Sequence, residues 1–341
     1  PRLGGGGSWA AAAMDGAEIP ATAPGEAGLP REAAGAAVEC RLDSAHDLAT
    51  LLSALQLREK DQKDQRVHCE ASSRGLKFTA QSNAKDVVVL GWMFSNVFQE
   101  YKFTGAAEEL HLWLPVAPLL SCLHIFGDRA VMTLRYPSGP SDEVHLTLEE
   151  EGAVTECRLK TMLLGEAPPV GAFFAPGDLL TMFRPSHPEA WHQALSEFAE
   201  FDAPDVSLRV TLRAASSPGA PAVTLRAKTL SSDAEVDMPR SALDELELAP
   251  QALAAGEASH SYPLPGVLAG CLRAAREAKA VKVRFNAEGV MSTQFILRGR
   301  GPRDLFCETL LSPLAELAFA GVAASSAVKR KSYASGESLG F

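Results

Sequence analysis

The sequence predicts an α+β fold of two similar halves, each with antiparallel sheets and two helices. Three observations predict it. A template of four apolar residues at helical spacing occurs four times, the copies pair at similar offsets, and strand-like segments fill the intervals. Apolar residues at i, i+3, i+4 and i+7 share one helix face because a turn takes 3.6 residues. Leu48, Leu51, Leu52 and Leu55 form the first template, entered through Ser44 and Asp47 at capping-box spacing. Val116, Leu119, Leu120 and Leu123 form the second, after Pro115. Trp191, Ala194, Leu195 and Phe198 form the third, with Pro188 suited to a first turn. Leu264, Val267, Leu268 and Cys271 form the fourth, with Pro265 near its start. Helices one and three are offset by 143 positions and helices two and four by 148, the mark of a duplication.

Between the helices, alternating or β-branched segments predict strands at 38–42, 66–71, 75–81, 87–91, 110–114, 130–136, 144–149 and 154–160 in the first half. The second half repeats the pattern at 206–213, 222–229, 235–238, 280–286, 290–298 and 305–309, with compact turns at 72–75, 151–152 and 286–289. Two helices per half suffice to cover one face of such a sheet.

The chain has 341 residues, enough for about two domains at roughly 150 residues each. Its 46% hydrophobic and 22% charged residues exclude a mostly disordered or fibrous chain. Lysine and arginine total 32 against 42 acidic residues, and the net charge of −10 argues against a surface that grips nucleic acid all over, leaving room for a local basic stripe. Six widely spaced cysteines without a C-x-x-C pair fit a reducing compartment. Residues 1–37 hold 8 Gly, 12 Ala and 4 Pro and read as a disordered tail. Domain one is expected at 38–160, a connector with Pro168, Pro169 and Pro176 at 161–177, domain two at 178–321, and a flexible tail at 322–341. That last tail carries Lys329-Arg330-Lys331, a weak nuclear-import pattern. No stretch reads as a signal peptide or a membrane span, so no membrane contact is expected.

The stretches CRLDSAHDLATLLSALQL (40–57), SRGLKFTAQSNAKDVVVLGWMFSNVFQEYKF (73–103), LWLPVAPLLSCLHIFG (112–127) and LTLEEEGAVTECRLKT (146–161) resemble, in that order, the Rad-one subunit of the nine-one-one DNA-damage checkpoint clamp. Residues 187–213 and 260–313 resemble it more weakly. The resemblance implies a PCNA-like DNA-clamp fold, with helices lining the inside of a ring and sheets outside. It implies Rad-nine and Hus-one type partners in a three-member ring, a dedicated clamp loader, and double-stranded DNA passing through the ring. It further implies action in the nucleus as a scaffold for checkpoint and repair proteins, without catalysis, cofactor or metal.

If the helices face phosphates, basic residues belong opposite their apolar stripes. Arg273 and Arg276 meet this on the fourth helix with Lys279 at its flank; Arg184 lies upstream of the third and Arg58 at the end of the first. An ordinary solvated helix face is the alternative for Arg273 and Arg276. By the resemblance, subunits join through exposed sheet edges, with Val154, Thr155, Cys157 and Leu159 on one edge and Glu235 and Val236 on the other. Interior strands are the alternative. Phe173 and Phe174 lie where clamps dock client peptides beside the connector, or else pack in the core.

Catalytic patterns fail on context. Gly336-Glu337-Ser338-Leu339-Gly340 has hydrolase spacing without the strand and helix that motif requires. Gly4 to Gly7 follow no strand, His187 and His192 are five apart and off one helix face, and His68 and Cys69 point to opposite faces of a strand. The resemblance implies a 3'-5' DNA exonuclease as one alternative, for which Glu149-Glu150-Glu151 is the densest acidic cluster although neighbours on a strand alternate faces; a homotrimeric replication processivity clamp is the other.

Overall fold

The computed structural model describes residues 37–57, 65–104, 108–136 except 128, 143–161, 168, 174, 180–214 except 202 and 204, 220–229, 232–300, 303–314 and 329–332. Arg58, Phe173, residues 1–36, most of 161–177 and the Gly336 to Gly340 motif lie outside them.

In chain order the first series is β1 (Ala37–Leu42), α1 (Ala45–Ala54), β2 (Arg66–Ser72), β3 (Gly75–Gln81), β4 (Val87–Phe94), β5 (Glu100–Thr104), β6 (Glu109–Pro115), α2 (Val116–Leu123), β7 (Val131–Tyr136), β8 (Glu143–Glu150) and β9 (Ala153–Lys160). The second series is β10 (Thr181–Pro185), α3 (Pro188–Glu197), β11 (Ser207–Arg213), β12 (Pro221–Lys228), β13 (Asp233–Pro239), β14 (Leu243–Glu247), α4 (Pro250–Ala255), β15 (Glu257–Pro263), α5 (Leu264–Glu277), β16 (Ala278–Phe285), β17 (Met291–Leu297) and β18 (Leu305–Leu311). A last strand, β19 (Lys329–Ser332), follows. With the short α4 set aside, the second series repeats the first element for element.

The four apolar templates become α1, α2, α3 and α5. Ser44 caps α1 by accepting from the His46 N–H at 3.2 Å. The Asp47 carboxylate accepts from the Arg300 N–H at 2.7 Å. Strands β5, β10, β14 and β15 and helix α4 were not legible. β5, β14 and β15 are the end strands of their sheets, half-exposed and polar, so their alternation is faint. α4 buries no side chain and carries no apolar stripe.

The pairing orders repeat as well. One sheet runs β5-β1-β7-β8-β9, a nine-stranded sheet runs β14-β10-β16-β17-β18-β4-β3-β2-β6, and a third runs β15-β11-β12-β13-β19. The order β5-β1-β7-β8-β9 recurs as β14-β10-β16-β17-β18, and β6-β2-β3-β4 recurs as β15-β11-β12-β13. The nine-stranded sheet is one copy of each module, fused where β18 meets β4 antiparallel, from Phe306 opposite Trp92 to Leu311 opposite Val87.

The helices touch in the row α2–α1–α5–α3, and α5 and α1 rest on the middle of the nine-stranded sheet. Close approach is possible there because two contact positions lack a side chain. A Cβ at Gly91 of β4 would stand 2.8 Å from Leu55 Cδ1 and 2.9 Å from Leu51 Cδ1. A Cβ at Gly270 of α5 would stand 2.6 Å from Thr309 Cγ2, and the Thr309 hydroxyl donates to the Gly270 carbonyl at 2.7 Å. The main core lies between the helix row and the inner sheet faces, built from Leu51, Leu52, Phe78, Trp191, Phe198 and Phe295 among others. Each such buried side chain contributes about 1.5–3 kcal/mol of apolar transfer. A second, small cluster of Val88, Leu90 and Leu310 with Trp92 sits on the opposite face of the nine-stranded sheet.

Candidate assembly edges and DNA-facing helices

β9 is the outermost strand of its sheet and is bonded to β8. Thr155, Cys157 and Leu159 sit opposite Leu148, Leu146 and Val144, and thus share their inward face. Val154 points outward and is 59% exposed, an apolar side chain on a strand whose outer backbone groups form a pairing template.

Glu235 and Val236 lie in β13. Val236 is 2% exposed and faces the core. Asp233, Glu235 and Asp237 alternate with it on the other face, where a polar network holds them. Arg226 Nε donates to Asp233 Oδ1 at 3.0 Å and its Nη1 stands 4.0 Å from Glu235. Thr224 donates to Asp237 at 2.8 Å while accepting from Arg213. The hydrogen bond that Arg226 donates to Asp233 raises the pKa of its guanidinium above the ordinary value. The expected free edge is absent here, because β19 pairs with β13 in parallel. Lys329 stands opposite Ala234, Arg330 opposite Glu235, Lys331 opposite Val236 and Ser332 opposite Asp237. Part of the tail expected to be flexible is therefore a strand.

The basic residues expected to face DNA are not gathered in one stripe. Arg276 projects from α5 and pairs with Glu277 at 2.8 Å. Arg273, also off the apolar stripe, donates to Gln56 and ties α5 to the end of α1. Lys279 is in β16, at a break in register, and pairs with Asp304. Arg184 departs from the expectation. Its neighbour Phe183 packs on Trp191 of α3 at 5.7 Å between ring centres, so Arg184 points to the sheet face away from the helices. There it pairs with Asp244 at 3.1 Å and Glu245 at 3.5 Å. On α3, Glu189 pairs with Arg298 at 2.6 Å, and its carboxyl is held below its usual range by its own backbone N–H and then by Arg298.

Phe174 lies against the small cluster of Val88, Leu90 and Leu310, with the Arg284 guanidinium 4.7 Å from its ring centre. Cys69 is buried in the core, where desolvation pushes its thiol far up, while His68 faces the other way. Glu150 accepts from the Gly127 N–H at 3.1 Å, and Glu151 occupies the turn at φ 50°. Among the described residues, the grouping of side chains able to hold a metal ion is His68, Glu70 and His111. Sequence reading missed it because His111 joins the other two only through the β2–β6 register.

Two fused sheet modules under a row of helices define the class. A chain of the PCNA2-PCNA3 complex from Sulfolobus tokodaii superposes with a TM-score of 0.61 at 12% identity, covering 82% of this chain and 100% of that chain. The fold is that of a PCNA-like sliding clamp. The chain belongs to the family described as repair protein Rad1/Rec1/Rad17, whose pattern matches residues 37–297. No curated protein sequence matches it. Family and fold together support a sliding-clamp role in DNA repair.

Proposed function

We propose that this chain is a non-catalytic subunit of a three-member checkpoint ring that encircles DNA in the nucleus and scaffolds checkpoint and repair proteins. Its partners in this reading are Rad-nine and Hus-one type subunits, and a dedicated clamp loader opens the ring. Residues 38–160 and 178–321 are its two clamp domains, joined by the connector 161–177, with tails at 1–37 and 322–341.

One observation carries the reading. β18 pairs with β4 inside the chain, yet their counterparts in the repeat, β9 and β13, end different sheet modules and do not pair with each other. A neighbouring subunit supplies the partner that β9 lacks and takes the place of β19 on β13, so that β9 meets a β13-type strand as β18 meets β4. The structural relative, a complex of two different PCNA subunits, favours unlike neighbours. Arg273 and Arg276 then lie on the inner face, where contact with DNA is weak, non-specific and sensitive to salt.

The test is the native mass of the purified chain alone and mixed with its candidate partners. A monomer that enters a one-to-one-to-one complex retained on circular DNA is expected. A homotrimer points to a replication clamp instead, and a monomer indifferent to both partners overturns the reading.

A further inference from the structure

The sheet face turned away from the helices carries a cluster that ring assembly leaves unused. His68 and Glu70 alternate along β2 and so share that face, and His111 of β6 lies directly across from Glu70. Donor atoms from these three side chains lie within 4.8 Å of one another. A second observation points to a ligand: His68 is 1% exposed, and its Nδ1 has no hydrogen-bond partner. An unsatisfied buried polar atom costs about 1–3 kcal/mol, which a metal bond would recover. The Trp113 ring leans on the His68 ring at 5.1 Å and the His111 ring lies 5.3 Å away, so packing holds the His68 plane.

We propose that His68, Glu70 and His111 bind one divalent transition cation of the zinc class, with water completing its coordination. Two imidazoles and a carboxylate are the donor set of zinc sites that keep one position open, whereas calcium and magnesium require mostly oxygen. Bonds of about 2.0–2.2 Å in a tetrahedron set donors about 3.4 Å apart, so the cluster closes by on the order of 1 Å. His111, with its side chain 50% exposed, supplies that movement while His68 stays fixed. Lys77 competes, since its Nζ lies 2.5 Å from Glu70 Oε2. The second carboxylate oxygen remains available to the ion.

The experiment titrates the metal-stripped full chain with Zn²⁺ alone, and with Co²⁺ as a spectroscopic probe. One ion per chain is expected, with His111→Ala and Glu70→Gln each weakening binding by about tenfold or more. Melting curves confirm that these variants fold, and His111 is exposed enough for its removal to spare the core. Cobalt separates this site from the cysteines, because nitrogen and oxygen donors give weak visible bands and thiolates an intense near-ultraviolet one. Absence of saturable Zn²⁺ binding, a thiolate band at the first equivalent, or affinity indifferent to His111→Ala would overturn the proposal.

Discussion

Gly91 shows how much a single absent side chain sets. Leu51 of α1 and Leu55 at its C-cap occupy the space its Cβ would take, so Gly91→Ala forces the helix from the sheet. The expected cost is about 1–3 kcal/mol, seen as a lower midpoint in denaturant unfolding. Arg276 answers a different question, because it projects from the helix row and pairs with its neighbour Glu277 on the surface. In the assembled ring, Arg276→Glu should leave the stability of the chain within about 0.5 kcal/mol. It should lower the salt slope of DNA binding by about one, the signature of one lost phosphate contact. The same substitution at Arg184 should leave that slope unchanged, since Arg184 faces away from the helices.

At the scale of elements, the helix positions were legible because each buries one stripe, and a stripe at 3.6-residue period is written directly in the chain. Leu48 to Leu52 and Leu264 to Cys271 are in the helices their spacing predicts, with Leu55 at the C-cap of the first. Edge strands were not, since Glu100 to Thr104 and Leu243 to Glu247 bury too little for alternation to register. The same limit hid the destination of Arg184, which depends on the phase of a five-residue strand, and the His68, Glu70 and His111 cluster, which depends on pairing register. The edge strand β9 bears its own prediction. Val154→Asp removes an exposed apolar contact and adds charge on the pairing strand, so it should leave the melting of the isolated chain nearly unchanged. Association with the subunit that meets β9 should weaken by about fivefold or more in a titration of the purified partners.

At the scale of the whole molecule, the proposed ring sets β19 and a neighbouring subunit in competition for one strand, β13. β19 lies in parallel register on β13 from Lys329 opposite Ala234 to Ser332 opposite Asp237. Deleting residues 329–341 should therefore leave that side of β13 unpaired and tighten association through it by several-fold, read as a lower dissociation constant. Unchanged affinity would mean that β19 offers no competition. The seam between β18 and β4 has a wider consequence. If the boundaries between subunits copy it, three chains present six equivalent joints, three made in advance within the chains and three made on assembly. The twist at the Phe306–Trp92 pairing then fixes the angle through which each step turns, and six such steps have to add to one full circle. A substitution that alters the twist of this internal seam would act at a distance, by leaving the last joint of the circle unable to meet.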